Sequence, residues 1–213
     1  MTGLLLKDLY CLKQNVKSLI FILVIWGVAF LPQEDGGLLM ICLSMMISVM
    51  HIFTLATYDK QVHWDTYALS MPLTRTHMVQ EKYLMTLLLL LASALASAGL
   101  VVLAWLFRTG DISGVFLSSI AVALIQGAGM SLLYTALSLP VSLWLGPEKA
   151  RYIPGMLFGA IFFAGFFMAR TGFTVMAHSE SLWTFSILAA GLAGVFFAVS
   201  YPVSLAIYKK KEF

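Results

Sequence analysis

The chain has 213 residues, of which 61% are hydrophobic and 11% charged, and its mean hydropathy is +0.92. Soluble domains carry roughly 25% charged residues, and a globule of this length has too little interior to hide so many apolar side chains, so lipid is the expected solvent. The net charge of +3 comes without the basic patch that nucleic acid needs, and Cys11 and Cys42, in separate segments, give neither a disulfide framework nor metal-ligand spacing.

In lipid every backbone polar group pairs internally, which leaves helices or a closed barrel. Barrel strands alternate apolar and polar over about ten residues. The apolar runs here are unbroken and roughly twice that length, which predicts an all-α membrane protein. Residues 4–17 come first. Leu5, Leu9, Leu12 and Val16 form one apolar stripe at helical spacing, with Lys7, Lys13, Gln14 and Lys17 off it. That pattern predicts an amphipathic helix lying in the membrane interface; the alternative is a cytoplasmic extension of the first span. Six transmembrane helices follow, at about 18–32, 37–58, 83–107, 114–145, 152–169 and 182–208, in a single domain over 1–213. The first has no small-residue cleavage site after it and reads as an anchor, not a signal peptide.

Charge orients these spans. With the N-terminus inside, one side collects Lys7, Lys13, Lys17, Lys60, Arg75, Lys82, Lys149, Arg151, Lys209, Lys210 and Lys211, and the other only Arg108 and Arg170. The loops are short enough for the positive-inside rule. It predicts a multi-pass protein of the inner (cytoplasmic) membrane with both termini in the cytoplasm, its basic tail meeting anionic lipid.

The one sizeable polar segment is the cytoplasmic loop 59–82. Trp64, Tyr67, Ala68 and Met71 recur at i, i+3, i+4 and i+7, a short apolar helical face. Pro72 stops that piece. Thr74 is placed to cap a second helix carrying Arg75 to Lys82 into span three. A short helix with an aromatic face either docks against a partner or anchors at the headgroups.

Chemistry is sparse. No span holds an Asp, Glu, Lys or Arg well inside, which disfavours an ion-coupled carrier. His51 in span two and Gln126 in span four are the candidate substrate-path residues, the bland alternative being hydrogen bonds within the bundle. Met45, Met46 and Met50 beside His51 could bind a soft metal but are ordinary packing material, and no metal site is expected. There is no Gly-Lys dipeptide and hence no Walker A loop, and no catalytic constellation, so the chain is not expected to be an enzyme. Pro140, Pro154 and Pro202, near the inner ends of spans four, five and six, mark places where helices can bend.

Leu6-Lys7-Asp8-Leu9-Tyr10, Tyr58-Asp59-Lys60, Trp64-Asp65, Tyr67-Ala68-Leu69-Ser70-Met71-Pro72, Arg75, Lys82-Tyr83, and Gly146-Pro147-Glu148-Lys149-Ala150-Arg151-Tyr152 form a set of stretches that resembles the ABC-2 type permease family, and within it the exporters of phenol-soluble modulins, small amphipathic peptide toxins. Ser142, Leu143 and Trp144 depart from it, standing where a more basic run is expected. The resemblance implies a permease that dimerises and pairs with separate ABC ATPase subunits, which would bind the ATP and Mg; a homodimer is expected over a heterodimer, which stays open, and no cofactor is expected on this chain. It implies that the helix around 64–71 is a coupling helix seated in an ATPase cleft, with Trp64, Asp65, Tyr67, Ala68, Met71, Glu148 and Lys149 at the interface. It further implies export of a small amphipathic or antimicrobial peptide. A lipid or hydrophobic drug would suit the same apolar walls, and a non-transporting immunity or signalling protein is the alternative of a different class.

Overall fold

The structure is a computed structural model that describes residues 2–30, 36–69, 74–109, 114–146, 150, 152, 155–156 and 179–210. The helices are α1 (Thr2–Phe30), α2 (Gly36–Gln61), α3 (Trp64–Leu69), α4 (Arg75–Thr109), α5 (Gly114–Leu145) and α6 (Ser179–Lys210). No strand occurs among the described residues. All but α3 are long and apolar enough to cross a membrane, giving five candidate spans. The expected span at 152–169 lies almost wholly outside the described residues, as do Pro72 and Pro154.

Local signals explain where the helices start and stop. The backbone N–H of His77 reaches Thr74 Oγ1 at 3.4 Å, so Thr74 caps α4 as its sequence position suggests. Gly146, at φ 87°, ends α5 in the left-handed region that favours glycine. Between α2 and α3 the chain turns through His63, at φ 50°, with the His63 N–H bonded to Lys60 O at 3.2 Å.

At the N-terminus the structure differs from the expected surface helix. No break separates residues 4–17 from the first span; α1 is one helix of 29 residues. The expected stripe divides as well: Leu12 is buried while Leu9 and Val16 are exposed, and the buried face runs Leu4, Asp8, Leu12. Lys7 meets Asp59 of α2 and Asp8 meets Lys82 of α4, so the charged pairs and the core contacts of Leu4 and Leu12 share one inward face of the helix.

α2 is the central helix, packed by α1, α4 and α5, and α5 pairs most extensively with α6. Towards the charged end the core is built from Leu4, Leu12, Ile52, Leu55, Val79 and Tyr83. Towards the other end it is Met40, Ile41, Met45, Val101, Phe116 and Ile120, with Trp105 stacked on Phe116 at 4.3 Å between ring centroids. Gly127 lets α5 approach α2 closely, since a Cβ there would stand 3.1 Å from the Cys42 Cα. α5 and α6 run parallel, with Gln126 facing Ser186 and Ala136 facing Ser200. The outward faces of α1 and α6 stay apolar, with Phe21, Val24, Val28, Leu188, Leu192 and Val199 exposed, as helices bathed in lipid require.

Candidate functional site

The end of the bundle that carries both α3 and the N-terminus holds a buried ionic cluster. Five charged residues meet there: Lys7 and Asp8 of α1, Asp59 of α2, and Glu81 and Lys82 of α4. Asp59 bridges the two inner lysines, with Lys7 Nζ 2.5 Å from Oδ1 and Lys82 Nζ 2.6 Å from Oδ2. Asp8 does the same at 3.0 Å from Lys7 and 3.1 Å from Lys82. Two ammonium groups and two carboxylates therefore close a ring that ties three helices together. Burying these charges is costly unless the geometry is complete, and here each charge meets two of opposite sign.

Glu81 is the fifth member. It is 3% exposed, and its nearest lysine contact is Lys7 Nζ at 4.0 Å. Neither carboxyl oxygen has a hydrogen-bond partner among the described residues. The cluster lies ahead of the apolar stretches that begin near Ser18 and Tyr83. Burial pushes the Glu81 carboxyl from its ordinary 4.5 up to about 7, with Lys82 opposing and Asp8 adding to the rise. Burial would raise Asp8 too, but Lys82 and Lys7 outweigh it and hold that carboxyl below its ordinary value. A neutral Glu81 leaves the ring balanced; an ionised one adds an uncompensated buried charge.

The cluster reaches α3 through Lys7, whose Nζ sits 4.6 Å from the centroid of the Trp64 ring. A cation over an indole face is attracted by the ring quadrupole, the more so when desolvated. Trp64 is half-buried against the core and Ala68 fully buried. Tyr67 points the other way, 57% exposed, with its ring 5.6 Å from that of Trp64. The expected single apolar face is thus divided. Trp64 and Ala68 fasten α3 to the bundle, while Tyr67, with Val62 and Thr66, faces outward. Asp65 lies in α3, its side chain outside the described residues, as are Met71, Glu148 and Lys149.

The two candidate path residues are not brought into one site. His51 Nδ1 contacts Ile47 O of its own helix at 3.1 Å. The Gln126 amide donates to Ser186 Oγ at 3.0 Å and so joins α5 to α6. Met45 is core material beside Gly127. The ionic cluster is not foreseen in the sequence analysis, where Lys7, Lys60 and Lys82 count as orienting charges. A signal was present: an acid and a base sit side by side at the ends of three helices, and a solvated loop has no need of that arrangement.

No curated protein and no solved structure matches the chain. The family described as ABC-2 family transporter protein matches over residues 3–209, a range that takes in nearly all of every helix from α1 to α6. The long apolar helices, the short helix fastened between α2 and α4, and that match together show that the chain belongs to the ABC-2 family of transporter proteins.

Proposed function

We propose that this chain is the permease subunit of an ATP-driven exporter of small amphipathic peptides, and that α3 is where its ATPase docks. Family membership makes the chain a transmembrane component of an ABC transporter, a multi-pass membrane protein that pairs with an ABC ATPase subunit. The observation that carries the rest is the stance of α3. Its inward residues, Trp64 and Ala68, are fixed to the bundle, and Lys7 links Trp64 to the ionic ring on α1, α2 and α4. A push on the outward face at Tyr67 is then passed to three spans at once, which a freely moving loop could not do.

The same reading places α3 and both termini in the cytoplasm, where the positive-inside rule puts the lysine-rich ends. It has six spans. The parallel course of α5 and α6 supports the sixth, because a chain leaving α5 at one end of the bundle and entering α6 at the other must return in between. A second copy of the chain would complete the exporter, covering part of the apolar faces that one copy leaves open. The peptide substrate rests on the sequence resemblance to peptide-toxin exporters. One observation favours a lipid or hydrophobic drug instead: an apolar groove of about 250 Å³ between α1, α2 and α4, lined by Leu19, Leu23, Trp26, Ile47 and Leu89 among others, is sized for an alkyl chain.

The test is ATPase retention and ATP-driven efflux in Tyr67→Ala, beside Trp64→Ala. Exposed aromatics that bury in a partner act as hot spots, so losing Tyr67 is expected to cost on the order of 2 kcal/mol of docking, roughly a thirtyfold loss of affinity. Membrane insertion stays unchanged. Efflux is followed with a fluorescent amphipathic helical peptide and, in parallel, with a fluorescent phospholipid. Wild-type ATPase retention in both variants would remove α3 as the docking element; transport of the lipid alone would replace the peptide reading.

A further inference from the structure

Pro140 lies inside α5. Proline has no N–H to bond the carbonyl four residues back, and its ring crowds that carbonyl. In lipid a carbonyl freed in this way needs another donor. For Ala136 the donor comes from the neighbouring helix: Ser200 Oγ of α6 donates to Ala136 O at 2.7 Å.

Ser200 has a single hydroxyl proton, and that contact takes it. Tyr83 of α4 lies 2.7 Å from Ser200 Oγ and 2.8 Å from Ser204 Oγ. The proton assignment that satisfies every contact therefore runs one way. Ser204 donates to the Tyr83 oxygen, Tyr83 donates to Ser200, and Ser200 donates to the Ala136 carbonyl. Such a chain strengthens each of its bonds by polarisation. All of its side chains are buried, and the Tyr83 ring is held by Phe197 at 5.0 Å and Tyr201 at 5.4 Å.

α5 is weakened on both sides of the proline. Ser138 donates back to Tyr134 O at 2.5 Å and Ser142 to Leu139 O at 2.8 Å, bonds that compete with the helix ladder and bend helices. Beyond Pro140 little more than a turn of α5 remains before Gly146. A Cβ on Gly146 would stand 3.2 Å from Lys60 Nζ, and Lys60 is in the last turn of α2, just before the bend into α3. The short end of α5 thus lies beside the Lys60 side chain, at the end of α2 that leads into α3.

We propose that α5 is jointed at Pro140 and that Ser200, held by Tyr83 and Ser204, is the latch that keeps the joint in the position seen here. Releasing the latch lets the end of α5 swing beside Lys60 at the end of α2. Ser200 and Tyr83 are positioning residues; they need touch no substrate. This inference goes beyond the docking role of α3 and does not depend on it.

The experiment uses the full chain alone in lipid nanodiscs, with Cys11 and Cys42 replaced by alanine, diluted with unlabelled chain. Spin labels go at Tyr10 and Trp144, which are 64% and 72% exposed, and double electron–electron resonance reads the distance distribution. Wild type is expected to give one narrow distribution and Ser200→Ala a broad one. Tyr83→Phe, which keeps the ring but loses the donor, should broaden it to a smaller extent and serves if Ser200→Ala accumulates poorly. Pro140→Ala restores an N–H for the Ala136 carbonyl, so Pro140→Ala with Ser200→Ala should be narrow again. A merely structural Ser200 would give no such rescue. A wild-type distribution in Ser200→Ala and Tyr83→Phe overturns the latch, as does broadening that persists in the Pro140→Ala double variant. No ATPase is present, so failure of α3 as a docking element cannot produce either result.

Discussion

Replacing Glu81 with Gln should make the protein more stable at alkaline pH and leave it unchanged at acid pH. Glu81 is 3% exposed and its carboxyl is pushed from 4.5 up to about 7 by burial, against the pull of Lys82. A carboxyl whose folded value is raised contributes stability that is complete below its unfolded value, here about 4.5, and is lost as the pH climbs through about 7. At about 1.4 kcal/mol per pH unit, that loss amounts to roughly 3 kcal/mol. Gln keeps the shape and never ionises. Thermal or denaturant unfolding in lipid nanodiscs, followed by tryptophan fluorescence from about pH 5 to about pH 8, should show the wild type falling away from Glu81→Gln as pH rises. Parallel profiles for the two proteins would refute the reasoning, because they would mean that Glu81 binds no more protons folded than unfolded.

Lys82→Met removes one partner of a buried ring and leaves Asp8 and Asp59 sharing Lys7, a change expected to cost about 3–5 kcal/mol; adding Asp8→Asn should restore part of the folded yield on size-exclusion chromatography, and a double variant no better than the single one would show that the two do not act as a pair. Gly127→Ala should destabilise by about 1–3 kcal/mol, because its Cβ would press on the Cys42 backbone at 3.1 Å, while Gly191→Ala, mid-helix with nothing within 4 Å, should hold or raise the thermal midpoint, Ala being favoured over Gly in a helix by about 1 kcal/mol.

The five described spans were legible in the sequence because length and apolar content set them, and lipid allows little else. The helix at 64–69 was legible too, from the spacing of Trp64, Tyr67 and Ala68, as was the cap at Thr74. What spacing could not reveal was which side of that helix faces inward. Trp64 and Tyr67 are both aromatic and three residues apart, and what distinguishes them, the core and Lys7 that Trp64 packs on, is brought together only by the fold. The N-terminal stripe misled for a related reason. Leu9 and Val16 make a regular pattern with Leu5 and Leu12, yet the inward face carries Asp8, paired with Lys82 of α4, beside Lys7, paired with Asp59 of α2. Partners so distant in sequence leave no periodic trace. His51 and Gln126 stand out as polar groups among apolar ones, and the structure gives each a hydrogen bond, one within α2 and one from α5 to α6.

The ionic ring also sets an order for building the protein. Asp8 and Lys82 are 74 residues apart in the chain, and synthesis proceeds from the N-terminus. When α1 leaves the ribosome its Lys7 and Asp8 have only each other, and Asp59 and then Lys82 arrive later. The N-terminal helix therefore cannot take its final stance until the start of α4 has been made, and until then the turn at Trp64 has no fixed seat. A nascent chain stalled before Lys82 would hold α1 and α2 in the bilayer with the ring unclosed and its acidic groups exposed to whatever quality-control machinery patrols that surface.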